Sequence, residues 1–419
     1  MSKTFCQIWT MAIGGLMLFG SVSPAEDSVT DWPHWRGPGG GGRWQVGQLA
    51  NDWPEGGLPV VWEVPIGAAY SGIAVSDGHL YTMDRQGDDE RVLCRNAADG
   101  SAVWEFAYRA DYGDLDYGKG PRATPTVHAG LVYTYGTVGH VHCLDAKTGE
   151  RKWSKDLVAD HGARQPTWGF AASPVIHEDK VIVHAGAEKG GCYLAFDRQT
   201  GEELWRGGED PAGYCTPILI RHAGVDQLIG WTPEHVVSLS LDDGTPNWQL
   251  PYKVTMGVSI ATPIFRDGTV FVSGYWEGAK AIKLGGRPDQ AELIWEENRF
   301  LRGLMSQPLY RDGFVYLLDK AHGIVCFELA SGKVRWQDKN QLTPRGRNPQ
   351  VTLVWVNDSD RAICLNSAGE LVLVRFSPDG FTELARTSII GETWAHPAYV
   401  GNRVYARDDK RLVCVELPE

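Results

Sequence analysis

The sequence predicts an all-β protein, an eight-bladed β-propeller of four-stranded antiparallel blades, and three observations predict it. First, one phrase keeps returning: LCRNAADGSAVW ends at Trp104, HCLDAKTGERKW at Trp153, LAFDRQTGEELW at Trp205, LSLDDGTPNW at Trp248 and CFELASGKVRW at Trp336. Trp62, Trp295 and Ala385 fill three further slots, so the phrase occupies eight positions at a spacing of roughly 40–50 residues, the size of a propeller blade. Second, a hairpin pattern lies upstream of the phrase, as in ATPTVHAGLVY from Ala123, ASPVIHEDKVIV from Ala172, ATPIFRDGTVFV from Ala261, SQPLYRDGFVYL from Ser306 and AHPAYVGNRVY from Ala395. SGIAVSDGHLY from Ser71 is a variant with Ile73 in the Pro slot. Third, 50 Gly, 23 Pro and 17 Trp in 419 residues favour short strands and tight turns over long helices.

The elements follow in chain order. Lys3, an apolar stretch from Ile8 to Val22 and the small-residue exit Ser23-Pro24-Ala25 read as a secretory signal over residues 1–25. The stretch is shorter than the ~20 residues that span a bilayer, and no later segment is apolar enough to do so. The mature chain is therefore expected to be exported, periplasmic or extracellular, with no transmembrane segment. Residues 26–57, rich in Gly, Pro and Trp, suit a strap across the ring; their GPGGGG follows no strand and opens no helix, unlike a dinucleotide-binding loop.

Residues 58–419 make the propeller. In each repeat the hairpin supplies the two inner strands, and the phrase supplies the third strand, a turn that needs Gly at positive φ, and an outer strand ending in Trp. RVYARDDKRLVCVEL stops after a third strand, while VVWEVPI near residue 60 is a fourth strand with no blade ahead of it. Joining them closes the ring. The recurring Trp is expected to pack blade against blade, since one sheet cannot bury both faces alone. Blade seven departs most, with Ala385 for Trp and VTLVWVNDSDRAICL for its hairpin.

These motifs carry a resemblance. LDAKTGERKW and FDRQTGEELW are similar to the quinoprotein-type (PQQ-like) repeat, which builds the propellers of quinone-dependent alcohol dehydrogenases and of a bacterial outer-membrane assembly lipoprotein. DWPHWRGP, GPRATPTV and WGFAASPV resemble, more narrowly, exported planctomycete-type proteins with this repeat. The resemblance implies the fold and two functions: a non-catalytic scaffold or binding module, or alternatively a divergent quinoprotein oxidoreductase holding pyrroloquinoline quinone with calcium. The dehydrogenases often set an adjacent Cys-Cys pair over the quinone and a Glu, Asn and Asp around the calcium. No two Cys are adjacent here, and no counterpart of that carboxylate set is recognisable in the central strands. No cofactor and no metal is therefore expected.

A net charge of -12 repels phosphate backbones and argues against nucleic acid as a partner. GxSxG, HExxH and phosphate-binding loops are absent from the sequence. DYGDLDYG at Asp111 lacks the spacing of a calcium loop, and His140 with His142 lacks a third zinc ligand. Cys94, Cys143, Cys326 and Cys414 hold one slot in four blades and cannot pair with each other.

Period-2 alternation on the innermost strands separates two channel-facing positions. One residue before the Pro slot stand Gly72, Thr124, Ser173, Thr216, Thr262, Gln307, Asn348 and His396, which are expected to line the axis. Three residues before it stand Tyr70, Arg122, Ala171, Tyr214, Ile260, Met305, Gly346 and Trp394, nearer the mouth. Tyr70, Arg122, Tyr214, Trp394 and His396 are the candidate binding residues, with Trp168 as a stacking lid and Arg122 as a bidentate anion contact. The partner expected at this mouth is a protein, peptide or glycan.

Overall fold

The phrase DAKTG in blade 2 shows how the repeat folds. Asp145 Oδ1 accepts the N–H groups of Lys147 and Thr148, and Gly149 turns the chain at φ 72°. The strands on either side, His140–Asp145 and Arg151–Asp156, then pair antiparallel, and the inner strands Leu131–Tyr135 and Thr126–His128 complete the sheet. Gly149 has a second duty: a Cβ there would sit 2.7 Å from the Trp104 ring of blade 1, so only glycine lets the indole close down on the turn. The Trp104 Nε1–H completes this contact by donating to the Ala146 carbonyl at 2.9 Å.

The computed structural model describes Met1 and residues 31–419, and its strands form eight such sheets. Blades 1 to 7 span residues 74–109, 126–156, 175–207, 218–251, 264–297, 309–337 and 351–388. Blade 8 comprises residues 398–416 with Val60–Pro65 as its outer strand, paired antiparallel to Arg411–Glu416. The signal segment expected over residues 1–25 lies, beyond Met1, outside the described residues. One short helix, Leu157–His161, interrupts the all-strand pattern; Asp156 caps it by accepting from the Val158 and Ala159 N–H groups.

The outer Trp contact of blade 1 recurs round the ring. Trp62, Trp153, Trp205, Trp295 and Trp336 each donate an indole N–H to a carbonyl of the following blade. Trp248 has no such acceptor: its Nε1 is buried and unpartnered. The apolar cores accordingly lie between blades, as where Tyr133 and Cys143 of blade 2 pack with Val181, Leu194 and Phe196 of blade 3.

The register of blade 7 differs from the sequence expectation. In blade 6, Trp336 pairs with Cys326, Cys326 with Tyr316, and Tyr316 with Leu309, the residue after the Pro slot. In blade 7 the same row reads Ala385, Leu373, Ile363 and Val354. The Pro slot is thus Leu353 and not Pro349, and the two channel positions are Thr352 and Gln350 in place of Asn348 and Gly346. The cause is an inner strand of six residues, Val351–Val356, where blade 6 has three, Leu309–Arg311.

Residues 31–57 account for the extra length. Trp32 forms a bridge with Val75 of blade 1, the Pro33 carbonyl accepts from Val127 of blade 2, and Arg43–Trp44 runs parallel to the extended strand of blade 7. Between these anchors Trp35 donates to Thr262 Oγ1 of blade 5 at 3.0 Å and Arg36 to the Pro308 carbonyl of blade 6 at 3.2 Å. Trp44 Nε1–H then reaches the Gly401 carbonyl of blade 8 at 3.0 Å. The segment crosses the ring at the far ends of the inner strands.

Candidate functional site

At the axis, each inner strand hands a hydrogen bond to its neighbour. Ser71 Oγ–H donates to the Ala123 carbonyl, Thr124 N–H to Ser173 Oγ, and Ser173 N–H to Thr216 Oγ1. Tyr214 N–H reaches the Ser259 carbonyl, Thr262 N–H reaches Gln307 Oε1, and Val351 N–H reaches Ser306 Oγ. Ile73 N–H joins blade 1 to blade 8 at the His396 carbonyl, 3.1 Å away, and Gln350 Nε2 lies 3.5 Å from His396 Nε2 between blades 7 and 8. Ser173, Thr216 and Gln307 of this column satisfy the backbone of the adjacent blade with their side chains.

Above these contacts opens a cavity of about 880 Å³. Tyr70, Arg122, Ala171, Tyr214, Ile260, Met305, Gln350 and Trp394, one from each blade, all line it. Gln350 enters through the corrected register, whereas Gly346 does not reach the wall. The six residues singled out from the sequence therefore meet in one place: Tyr70, Arg122, Trp168, Tyr214, Trp394 and His396 all face this cavity. Sequence reasoning missed Trp35, which forms part of the wall and packs on His396 with ring centroids 4.1 Å apart and a tilt of 44°. It also missed Trp276, Asp116 and Arg347 on connecting loops. The RGRN run at Arg345 was the one available signal for Arg347.

The wall is mostly aromatic. Trp394 touches Tyr70 on one side and Tyr117 on the other, at centroid distances of 5.6 and 5.7 Å and tilts of 31° and 32°. Trp168 packs on Tyr214 at 5.7 Å, and its backbone N–H donates to the Tyr214 hydroxyl at 3.3 Å. Burial pushes the Tyr214 phenol up to about 12, so it stays a neutral donor. His396 shows its remaining surface to the cavity; burial and then the Arg36 charge lower its pKa to about 3, so the ring is neutral.

Arg122 is a buttress more than an open fork. Its Nη1 donates to the Gly120 carbonyl and Thr137 Oγ1, and its Nη2 to the Asp116 and Tyr117 carbonyls. Both terminal nitrogens are thereby committed to the 116–120 loop, so the bidentate carboxylate grip expected from the sequence is not open to them. The guanidinium still places positive charge over the Tyr70 ring, 5.5 Å from its centroid, while burial pulls its pKa below the ordinary value. Arg347 is the exposed cation of the wall, and no described residue pairs with its guanidinium.

The donor set does not fit a quinone with calcium. Asp116 is the one carboxylate among the lining residues, and no three His, Cys, Asp or Glu side chains converge anywhere among the described residues. The seven described cysteines are buried, free and absent from the wall. His140 and His142 stack on each other beside Tyr108 with no third ligand.

Comparison with known proteins finds relatives of two kinds, assembly factors and quinone-dependent dehydrogenases. A family model described as outer membrane protein assembly factor BamB matches residues 88–338, more than half of the chain. BamB of Yersinia pestis is 23% identical over 289 residues, covering 65% of this chain and 69% of that protein. The quinohemoprotein alcohol dehydrogenase ADH-IIG of Pseudomonas putida is 32% identical over 141 residues, 32% of this chain but only 18% of the dehydrogenase. Among solved structures, BamB from Moraxella catarrhalis superposes with a TM-score of 0.60 at 17% identity, covering 86% of this chain and 98% of that one.

Proposed function

The chain belongs to the outer membrane protein assembly factor BamB family, and from that premise we propose that it is an exported, non-catalytic binding module for a protein, peptide or glycan partner. The observation that carries this reading is the cavity itself. Aromatic faces from several blades and loops surround about 880 Å³ of open space, a size and lining suited to binding, while no group of three metal-donor side chains is found among the described residues. The rigid ring of inter-blade hydrogen bonds holds those faces in place before any ligand arrives, which lowers the ordering cost of binding. Export agrees with the reading of residues 1–25 and with the outer-membrane relatives. No helix among the described residues is long and apolar enough to cross a membrane.

The competing reading, a divergent quinone-dependent dehydrogenase, draws on the shared stretch with ADH-IIG. One experiment separates the two: purified protein is given pyrroloquinoline quinone and calcium, then alcohols or sugars with an electron-accepting dye. We expect neither cofactor absorbance on the protein nor dye reduction. Sustained turnover overturns the non-catalytic reading.

A further inference from the structure

We infer that the ligand class of the central cavity is a saccharide chain carrying carboxylates, of the uronic-acid type; this inference rests on the binding-module reading above. Three features of the wall select it. The first is that no backbone is offered. The inner strand edges, where an extended peptide would add itself to a sheet, are covered because each neighbour's side chain or carbonyl takes the edge N–H groups, as Ser173 Oγ and Thr216 Oγ1 do. A peptide gains no main-chain ladder here.

The second feature is the arrangement of the rings. Trp394 contacts both Tyr70 and Tyr117 with ring planes about 30° apart, and Trp168 with Tyr214 makes a second aromatic pair at 44°, all five lining the cavity. Adjacent tilted faces form a stepped wall. Successive pyranose rings can each lay an apolar C–H face on one step, whereas a single flat fused ring meets only one.

The third is the polar set. Arg347 is exposed at the wall and unpaired among the described residues, and Arg122 adds a second positive centre in a chain whose net charge is -12. Asn348 Nδ2 donates to the Tyr117 hydroxyl, which leaves its Oδ1 as an acceptor, and the Asp116 carboxylate is a second acceptor on the same wall. Two acceptors for hydroxyl groups and an unpaired guanidinium for a carboxylate, all on one wall, match a sugar acid. A neutral sugar would leave the cation without a partner.

Calorimetric titration and the site's own tryptophan fluorescence test this with four probes: a galacturonate hexamer, a neutral glucose hexamer of equal length, a hexaglutamate peptide and pyrroloquinoline quinone. We expect the galacturonate hexamer alone to bind, more weakly as salt rises. Arg347→Gln, at an exposed position, is expected to weaken binding about tenfold, the loss of one charge-assisted contact. Trp168→Ala is expected to abolish binding with the melting temperature kept. Equal binding of the neutral hexamer, unchanged affinity in Arg347→Gln, or binding of none of the probes overturns the sugar-acid assignment. Binding of hexaglutamate alone overturns it while sparing the binding-module reading, and quinone binding with dye-reducing turnover overturns both.

Discussion

Trp205 and Trp248 occupy the same slot on adjacent blades and are almost equally buried, at 6% and 8% exposure, yet their indole N–H groups have opposite fates. Trp205 Nε1–H donates to the Leu241 carbonyl at 3.1 Å, whereas Trp248 Nε1–H is buried without an acceptor. Replacing each by Phe removes the same atoms, so the packing losses largely cancel between the variants. What differs is the polar term. Trp205→Phe strands a carbonyl, which costs about 1–3 kcal/mol, while Trp248→Phe removes a donor that already carries a penalty of that size. A gap of about 4 kcal/mol follows, with Trp205→Phe the less stable. Urea unfolding followed by far-ultraviolet circular dichroism reads it directly: with an m-value of about 3 kcal/mol/M the two midpoints lie ~1.3 M apart. Equal midpoints, or a lower midpoint for Trp248→Phe, refute the reasoning.

Other outcomes follow from the same structure. His142 is 4% exposed, both its ring nitrogens lack partners, and burial lowers its pKa to about 3, below the unfolded value of 6.5. The unfolded chain therefore binds the extra proton, so stability is full above about pH 6.5 and falls towards pH 3 by up to ~1.4 kcal/mol per pH unit for this group. His142→Phe is expected to stabilise the protein at pH 5 and to flatten the slope there, as measured by denaturant midpoints at pH 5 and 7.5. Burial pushes the thiols of Cys94, Cys143, Cys215, Cys326 and Cys414 up to about 12, so a thiol-specific dye is expected to label none of these five in native protein and all of them in guanidinium. Deleting residues 58–67 removes the outer strand of blade 8 and bares the Arg411–Glu416 edge; the expected result is a melting temperature lower by many degrees and aggregation on size-exclusion chromatography.

How far the sequence could be read depended on whether a residue's duty was local. The repeat count was legible because the Asp, Gly and Trp of each phrase act within one turn and against the next copy of that turn. The convergence of Tyr70, Arg122, Tyr214 and Trp394 was legible because period-2 alternation on aligned strands fixes which residues share a face. Blade 7 was misread because Pro349 imitates the slot residue, while the real register is set by a strand lengthened to meet Arg43 and Trp44, far away in sequence. VTLVWV itself, an unbroken β-branched and apolar run, was the overlooked sign of that length. Trp35 was not legible as a cavity residue at all, since its position depends on a path across the ring that no local pattern encodes. The commitment of both Arg122 Nη atoms to the 116–120 loop was hidden for the same reason.

The crossing segment also sets an order of events during synthesis. Trp44 finds its acceptor on Gly401, 357 residues later, and Ala50 donates its N–H to the Pro418 carbonyl. Trp32 and Pro33 can meet blades 1 and 2 early, yet blades 5 to 8 must follow before Trp35, Arg36, Trp44 and Val60–Pro65 can dock. Contacts of such long range form late because loop closure must come first. A truncated chain would keep several apolar Trp residues of this segment uncovered, a ready mark for chaperones and proteases. The folded ring hides them, so the segment acts as a seal that is set only once blade 8 has formed.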